Sequence, residues 1–527
     1  MLGRTSPRRI LEHKAMSPYT AFVYNVLTMG LIFPWIFLVG PGAFPKASLV
    51  MGILLGFALQ LPLSLAYTWL GTVIAESGGD WAFQSRIIGR GFGFTVVLSG
   101  FVIWVMQWLA LSGWMIAMLG FSPLFLGLGV ALHAKVLVQL GLAVQRPLPV
   151  VILSILFSGL ATLLLIAGFH HYVKLQHAIF YLTLVAVALV ILTFLIATPQ
   201  SFRVRFDQFS VLVTGARQAA GTVLPAARAL GWTPTLPGGW SWAWAMAPMT
   251  WINLQWSTYS VEQGGEIAGQ RHFWRHLAIT VGALAFTTLL LVLLAVAETR
   301  GLGRSFLSAY SFLYDRDQSL AIRPLPDLLA IAFLRNPWLI ALITLGYIAN
   351  SFQIFANCYI GMTRIVSAMV SDGYLPGWLG RSHPRLGTQV NIHVLYFLLG
   401  VLWIFAYNLD PHWIHYTFEV TLANGYVFVA SGGLAAVLLP YRHTTQYLAS
   451  PVPHTVIGGI PLITLIGLTG TATGGFMILS LTLDPRYGAA SSMPFLLLLG
   501  ILLFSLVWYM LERTFRTVSA TTGKSAR

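Results

Sequence analysis

Two long apolar stretches contain the residues best suited to bind a small polar solute. The first reads YNVLTMGLIFPWIFLVG, where Pro34 has no N–H, so the carbonyl of Gly30 loses its helical partner. The second reads APMTWINLQWSTYSVEQGGE and carries a run of polar residues, namely Asn253, Gln255, Ser257, Thr258 and Ser260. Freed peptide N–H groups suit a carboxylate, and freed carbonyls suit an ammonium group or a cation. An ordinary proline kink and polar contacts between helices are the alternative interpretations.

The candidate site combines these two interruptions with polar and aromatic residues of neighbouring helices. The predicted solute-binding residues are Met29, Gly30, Leu31, Gln107, Asn253, Gln255, Trp256, Ser257 and Asn350. The predicted gates of the pocket are Trp104, Trp108 and Tyr259, for which plain packing is the alternative. Glu419 is a candidate proton acceptor, because burial favours the protonated form of a carboxylate.

Catalytic and metal chemistry find no support in the sequence. Cys358 is the only cysteine, which excludes an intrachain disulfide and a cysteine-based metal cluster. Neither a phosphate-binding glycine loop nor a hydrolase motif is present. We therefore expect no enzyme, no cofactor and no metal centre.

The elements that position these residues must lie in lipid. Only 9% of the 527 residues are charged and 57% are apolar, whereas a soluble globular chain has about 25% charged residues. A soluble surface with so few charges would aggregate, and disordered chains are rich in charge and poor in aromatic residues. The composition predicts an all-α polytopic membrane protein.

Twelve stretches of at least 22 residues contain no Asp, Glu, Lys or Arg, and each is long enough for one membrane helix. The predicted spans lie near 20–40, 46–75, 88–118, 148–168, 174–197, 241–262, 276–297, 338–370, 389–408, 417–439, 458–482 and 492–512. The apolar stretch 119–147 is broken by Pro123, His133 and Lys135, so we expect an interfacial or extracellular helical hairpin there.

The basic residues follow membrane topology rather than a nucleic-acid surface. The net charge is +15, but the basic residues form no stripe on a soluble domain. With the N-terminus inside, 17 of the 30 Lys and Arg residues fall in intracellular segments and four in short outer loops. The positive-inside rule then places both termini in the cytoplasm of a plasma-membrane protein.

The interrupted spans 1 and 6 occupy equivalent places in two five-helix halves, which is the sequence signature of an inverted-repeat transporter. The predicted organisation is a cytoplasmic tail (1–19), repeat 1 (20–197), an extracellular loop (198–240), repeat 2 (241–440) with an extracellular loop (299–336), two further helices (458–512) and a cytoplasmic tail (513–527).

Three ordered motifs carry a resemblance to a known family. They read AYTWLGTVIAESGGDWAFQSRIIG (66–89), GGEIAGQRHFWRHLAI (264–279) and TRIVSAMVSDGYLPGWLGRSHPRLGTQVN (363–391). Each is similar to a cytoplasmic motif of the amino acid–polyamine–organocation (APC) permeases. The resemblance extends from residue 17 to residue 440.

The resemblance implies the leucine-transporter fold, a 5+5 inverted repeat with two added helices. It also implies secondary active transport of amino acids or related amines by alternating access, with H⁺ or Na⁺ as coupling ion. Ion pairs among cytoplasmic residues would close the inner gate, with Asp80, Arg86, Arg364 and Asp372 as candidates. The other hypotheses are a carrier of polyamines or other small organic solutes and, in a different class, a membrane-embedded sensor or enzyme.

The chain departs from the family pattern at several positions. Only Gly30 remains of the family's glycine-rich segment in span 1, and Trp69 replaces a common glutamate in span 2. Trp256 stands where a small residue is usual, and Thr183 stands where some proton-coupled relatives carry a lysine. These departures leave the predicted fold intact and leave the substrate and the coupling ion open.

Overall fold

The structure, a computed structural model, consists almost entirely of helices. It describes residues 16–32, 35–233, 238–269, 271–317, 320–409, 413–487 and 492–522. The two strands, β1 (Val456–Ile457) and β2 (Ile460–Pro461), form one antiparallel hairpin in a loop. Helices dominate because a chain in lipid must satisfy its backbone hydrogen bonds within each segment.

The first half of the chain forms thirteen helices in the described ranges. They are α1 (Pro18–Met29), α2 (Trp35–Leu38), α3 (Gly40–Ala43), α4 (Leu49–Val73), α5 (Gly79–Phe83), α6 (Arg90–Val97), α7 (Gln107–Met115), α8 (Ser122–Ala131), α9 (Lys135–Val144), α10 (Pro147–Ala167), α11 (Phe169–Ile196), α12 (Pro199–Thr214) and α13 (Ala219–Ala229). A π-helical turn, Gln84–Ile88, follows α5. The turns Leu98–Ile103, Trp104–Met106 and Ile116–Phe121 join α6, α7 and α8 into one helix, Arg90–Ala131.

The second half has the same character. Its helices are α14 (Gly239–Leu254), α15 (Phe273–Leu302), α16 (Arg304–Arg316), α17 (Pro326–Phe333), α18 (Pro337–Ser371), α19 (Val390–Leu409), α20 (Trp413–Phe428), α21 (Ala436–Arg442), α22 (Thr444–Leu448), α23 (Leu462–Leu483) and α24 (Ser492–Thr522). Two 3₁₀ helices, Gln255–Glu262 and Gly264–Glu266, follow α14. A π-helical turn, Val429–Ala435, joins α20 to α21.

Ten helices in the described part of the chain are long and apolar enough to cross a membrane. Each coincides with one of the predicted spans, which confirms the prediction of an all-α polytopic membrane protein. The predicted spans without such a helix are the first and the sixth, the two in which the sequence analysis expects an interruption. The predicted domain boundaries remain predictions.

The first span is discontinuous. Helix α1 ends at Met29, and Gly30 has φ 73° and ψ 94°, a conformation that L side chains rarely adopt. Helical structure resumes at α2 and α3. Pro34, the other predicted cause of the break, lies outside the described residues.

The sixth span changes helix type instead of opening into a loop. At Gln255, α14 passes into the 3₁₀ helix Gln255–Glu262. A 3₁₀ helix has a tighter turn and poorer hydrogen-bond geometry, and such mid-helix stretches often mark a hinge. The predicted break is therefore a change of helix type: Asn253 lies on α14, and the other four residues of the polar run lie on the 3₁₀ helix.

The segment 119–147 forms a helical hairpin. Helix α8 continues directly from the third span, and α9 folds back on it after a turn at His133, whose φ is 52°. A Cβ at Gly129 would lie 2.7 Å from Val138 Cγ2 and from its backbone nitrogen. This close approach packs α9 directly against α8.

The outer end of the first span is fixed by α16. The Ser311 hydroxyl donates to the carbonyl of Leu38 (2.6 Å) and accepts from the N–H of Gly42 (3.0 Å). A Cβ at Gly42 would lie 2.4 Å from the backbone nitrogen of Phe312, so only glycine fits. These contacts join α3 to α16 at the face predicted to be extracellular.

Candidate functional site

A small cavity lies at the end of α1, between α1, α7, α14 with its 3₁₀ extension, and α18. Its lining residues are Thr28, Met29, Trp108, Ile252, Asn253, Trp256, Tyr259, Ile354 and Cys358. The space open to the centre of a water molecule is about 20 Å³, which is enough for about one water. None of the residues that line it carries a formal charge at neutral pH.

Asn253 joins the two interrupted spans at the cavity wall. Its Nδ2 donates to the backbone carbonyl of Met29 at 2.7 Å. The last carbonyls of a helix have no intrahelical donor, so this side chain satisfies a group that the end of α1 exposes. The N–H of Gly30 turns back to the carbonyl of Leu27 at 3.2 Å. The geometry of the break and the position of Asn253 therefore depend on each other.

Trp256 is the centre of an aromatic wall. Its ring makes edge contacts with Tyr259 (5.0 Å between centroids), Trp108 (5.6 Å) and Phe428 (5.6 Å), and it stacks on Phe101 (6.1 Å). Its indole Nε1 donates to the carbonyl of Ile252 at 3.1 Å. These contacts fix the ring on the side of the cavity towards α7 and α20.

Trp108 and Tyr259, the two other predicted gates that line the cavity, are oriented by contacts with residues that do not line it. Trp108 Nε1 donates to Asn424 Oδ1 at 2.9 Å. The ring of Tyr259 stacks on that of Tyr24 with centroids 6.0 Å apart. Both side chains thus line the cavity from positions that neighbouring helices hold.

A buried polar network adjoins the cavity where α1 meets α11 and α18. Asn357 Nδ2 donates to Thr28 Oγ1 at 2.6 Å, and Asn357 Oδ1 accepts from the hydroxyl of Tyr172 and from Gln353 Nε2. The sequence analysis did not select these residues for the site. The sequence does contain an indication of this network, because Gln353 and Asn357 are four residues apart and this spacing places both amides on one face of α18.

Several predicted binding residues are buried beside the cavity and do not line it. Ser257 Oγ lies 2.9 Å from Ser64 Oγ and faces α4. The side-chain amides of Gln107, Gln255 and Asn350 are buried, and within the described ranges they have no hydrogen-bond partner. Leu31 is buried just beyond the break. The role of each residue remains a prediction.

Two further candidates lie elsewhere. Trp104 packs on Trp403, with ring centroids 5.1 Å apart, and is not a lining residue. Glu419 is completely buried within α20. Conversely, the cavity contains Thr28, Ile252, Ile354 and Cys358, which the sequence analysis did not select. Helical spacing (252, 256 and 259; 354 and 358) is the signal that places these residues on shared faces.

The three motifs meet at the face predicted to be cytoplasmic. Arg364 forms two parallel bonds to Glu266, Nε to Oε1 at 2.8 Å and Nη2 to Oε2 at 3.0 Å. A bidentate pair of this kind is stronger and more directional than a single contact. The guanidinium also lies 4.9 Å from the ring centroid of Phe169. Arg364 thereby holds α18 against the segment that follows the sixth span.

The predicted ion pairs among Asp80, Arg86, Arg364 and Asp372 are not the ones that form. In the part of the chain that the structure describes, Arg86 pairs with Glu76 of its own motif. Asp372 Oδ2 accepts from Trp81 Nε1 at 2.8 Å. The acid that pairs with Arg364 is Glu266, which lies in a quoted motif but was not selected. Sequence spacing could not show which acid each arginine reaches across the fold.

Replacing Arg364 with glutamine should destabilise the protein far more than the same change at Arg86. The side chains of Arg364 and Glu266 are 20% and 9% exposed, and those of Arg86 and Glu76 are 41% and 49% exposed. Breaking a buried pair leaves a charge without its partner, at up to about 3 kcal/mol, whereas an exposed pair contributes about 0–1 kcal/mol. Thermal unfolding in detergent measures both variants. Equal shifts in melting temperature would contradict the assignment of Arg364 as a structural tie.

Long apolar helices pack around a small cavity, where the first span is discontinuous and the sixth changes helix type, an arrangement typical of polytopic membrane carriers. A family model described as "Amino acid permease" matches residues 18–506. The chain belongs to the amino acid permease family, which confirms the resemblance to APC permeases. No curated protein matches the sequence. Membership indicates a membrane transporter of amino acids or related amines rather than an enzyme.

Proposed function

We propose that the protein is a secondary active transporter that carries an amino acid with an uncharged side chain, or a related amine, by alternating access. The observation that supports this most directly is the cavity at the carboxyl end of α1, where Asn253 bonds the Met29 carbonyl. The polar run of the sixth span and the break in the first converge there.

The lining of the cavity supports this class of substrate. The carboxyl end of a helix carries a partial negative charge that suits an ammonium group. Asp, Glu, Lys and Arg are absent from the residues that line the cavity. A charged substrate side chain would therefore be buried without a partner, which is costly. Aromatic and aliphatic neighbours such as Trp256, Tyr259 and Ile354 suit an apolar side chain.

The small size of the cavity supports alternating access. A space for about one water does not hold an amino acid, so the lining helices must move to admit one. The contacts of Ser311 with Leu38 and Gly42 close one face, and the Arg364–Glu266 pair closes the other. Opening either set while the other holds gives access from one side at a time.

An ion gradient, of H⁺ or Na⁺, is the proposed energy source. The sequence has no phosphate-binding motif for ATP. Thr183, which replaces the lysine of some proton-coupled relatives, donates instead to the carbonyl of Gly346 at 3.4 Å. We place the transporter in the plasma (inner) membrane with both termini in the cytoplasm, since 17 basic residues fall on that side against four in short outer loops.

Counterflow in proteoliposomes tests this function without any ion gradient. Vesicles loaded with an unlabelled neutral amino acid should accumulate the labelled one, and vesicles loaded with a charged amino acid should not. Imposed H⁺ and Na⁺ gradients, applied singly, then identify the coupling ion. If neutral amino acids and amines stabilise the protein against heat but never exchange, the chain is a sensor and the proposal is wrong.

A further inference from the structure

Asp80 and Glu262 are two fully buried carboxyl groups in direct contact. Asp80 follows Gly79 at the start of α5, and Glu262 ends the 3₁₀ helix of the sixth span. Neither residue is exposed to solvent. The N–H of Asp80 donates to Glu262 Oε1 at 3.2 Å, and the two carboxyl groups also interact with each other. Two acidic groups therefore lie against each other away from water, where two negative charges would be costly.

Among the residues that the structure describes, the groups around the pair do not supply a compensating cation. The nearby arginines of this face are engaged elsewhere, Arg86 by Glu76 and Arg364 by Glu266. The titratable groups that face the pair are phenols, Tyr24 of α1, Tyr67 of α4 and Tyr259 of the 3₁₀ helix. At the C-terminal cap of α18, Asp372 accepts a hydrogen bond from Trp81. Two ionised carboxylates in contact repel each other strongly when no cation neutralises them.

The hydrogen bonds of the pair leave a place for one proton. The Tyr67 hydroxyl donates to Asp80 Oδ1 at 2.5 Å. Asp80 Oδ2 and Glu262 Oε2 are buried and have no hydrogen bond of good geometry with any described residue; besides Tyr67, the Ser431 hydroxyl is the neutral side chain that interacts with Asp80. A proton on one of these oxygens is the missing donor, because a protonated carboxyl group donates where a carboxylate only accepts. Burial also raises the pKa of Asp80.

The pair lies at the joint between α5 and the sixth span. The N–H of Gly78 donates to the carbonyl of Glu262 at 2.9 Å, and a Cβ at Gly79 would lie 2.8 Å from the Val261 carbonyl oxygen. The same 3₁₀ helix carries Trp256 and Tyr259 to the cavity. Separating α5 from this helix therefore breaks the contact between the carboxyl groups.

We propose that Asp80 and Glu262 bind one proton between them and that loss of this proton to the adjacent solution opens the face predicted to be cytoplasmic. In the closed form the pair shares one proton and carries one negative charge. In the open form both carboxylates are ionised and hydrated, and the proton is in water. Closure takes a proton back from the same side. This inference rests on the proposed transport function.

The sole cysteine provides an assay that needs no substrate. Cys358 lines the cavity and is buried, so an impermeant maleimide reaches it only when the cavity opens. In inside-out membrane vesicles the reagent enters from the face predicted to be cytoplasmic. The variants are Glu262→Gln and Asp80→Asn, whose amides donate to the remaining carboxylate at every pH. The matched control is Glu298→Gln, which changes another buried carboxyl group without a described partner, away from the cavity.

Labelling rates are expressed relative to the wild type at each pH, which cancels the titration of the thiol itself. The wild type should open more, and so be labelled faster, as the pH rises, whereas the two pair variants should not. The labelling rate of Glu262→Gln and of Asp80→Asn, divided by that of the wild type, should therefore fall at least threefold between about pH 6 and about pH 8.5. The relative rate of Glu298→Gln should stay constant.

Three results decide the proposal. Constant relative rates for both pair variants would overturn the proposal. A fall in relative rate confined to Glu298→Gln would also overturn it, because Glu298 would then be the group that binds the proton. A fall for the pair variants together with no counterflow in the wild type would leave the proton site in place and remove the transport function. Melting temperatures near that of the wild type show that the variants are folded.

Discussion

Replacing Asn253 with alanine is expected to lower the efficiency of amino acid uptake at least about fivefold. The Nδ2–Met29 carbonyl bond is lost, and a buried acceptor at the end of α1 remains unsatisfied, which costs about 1–3 kcal/mol. Each 1.4 kcal/mol corresponds to a factor of about ten. Initial uptake rates over a range of substrate concentrations, together with the thermal shift that substrate produces, measure the effect.

Ser257→Ala is the matched control for this prediction. Ser257 lies four residues further along the same segment, but its hydroxyl contacts Ser64 of α4 and is not at the cavity. We expect uptake within about threefold of the wild type, since a single neutral hydrogen bond contributes about 0.5–1.5 kcal/mol to stability and none of it to binding. If Ser257→Ala impairs binding as much as Asn253→Ala does, the site lies on the α4 side of the sixth span.

The fold was largely predictable because its main determinant is local. A run of residues without charges is visible in the sequence, and lipid leaves such a run few options besides a helix. The break in the first span was also locally encoded, since the positive φ of 73° at Gly30 is a conformation that glycine adopts far more readily than other residues do. Hydropathy could not distinguish the helical hairpin α8–α9 from a span by itself. Pro123, His133 and Lys135 supplied that distinction.

The candidate site was less predictable because its geometry depends on contacts between distant segments. Asn253 and Ser257 have the same kind of sequence signal, yet one reaches Met29 and the other Ser64. Ile354 and Cys358 line the cavity although nothing but their spacing distinguishes them from other apolar residues of α18. Polarity identifies a segment that cannot face lipid. It does not identify which neighbour each side chain meets.

In the proposed mechanism, the outer and the inner closure of the carrier are linked through the first and the sixth span. The first span runs outward from the cavity through α2 and α3 to the contacts of Ser311 with Leu38 and Gly42. The sixth runs inward from Trp256 to Glu262, which binds α5. Because a substrate at the cavity would contact both spans, its binding can change the balance between the two closures. In the proposed mechanism the break at Gly30 is the point about which α1 and the α2–α3 part of the first span move independently.

Gly30→Ala is therefore expected to reduce uptake at least tenfold and to lower the melting temperature. A side chain in the left-handed region costs about 1–2 kcal/mol, and a ψ of 94° lies beyond the usual left-handed range. The chain relieves this strain by moving Gly30 to a helical conformation, which extends α1 and displaces the Met29 carbonyl from Asn253. Uptake rate, the thermal shift with substrate, and the melting temperature without it together report this rearrangement.

Gly282→Ala in α15 is the control, because its Cβ would lie 3.9 Å from Phe22 Cε2, an ordinary contact distance, and the backbone there is helical. Alanine also has the higher helix propensity, by about 1 kcal/mol, so stability and uptake should be kept. A Gly30→Ala variant that melts several degrees lower yet transports at the wild-type rate would show that the break serves only packing. Transport would then not depend on the conformation of the first span at Gly30.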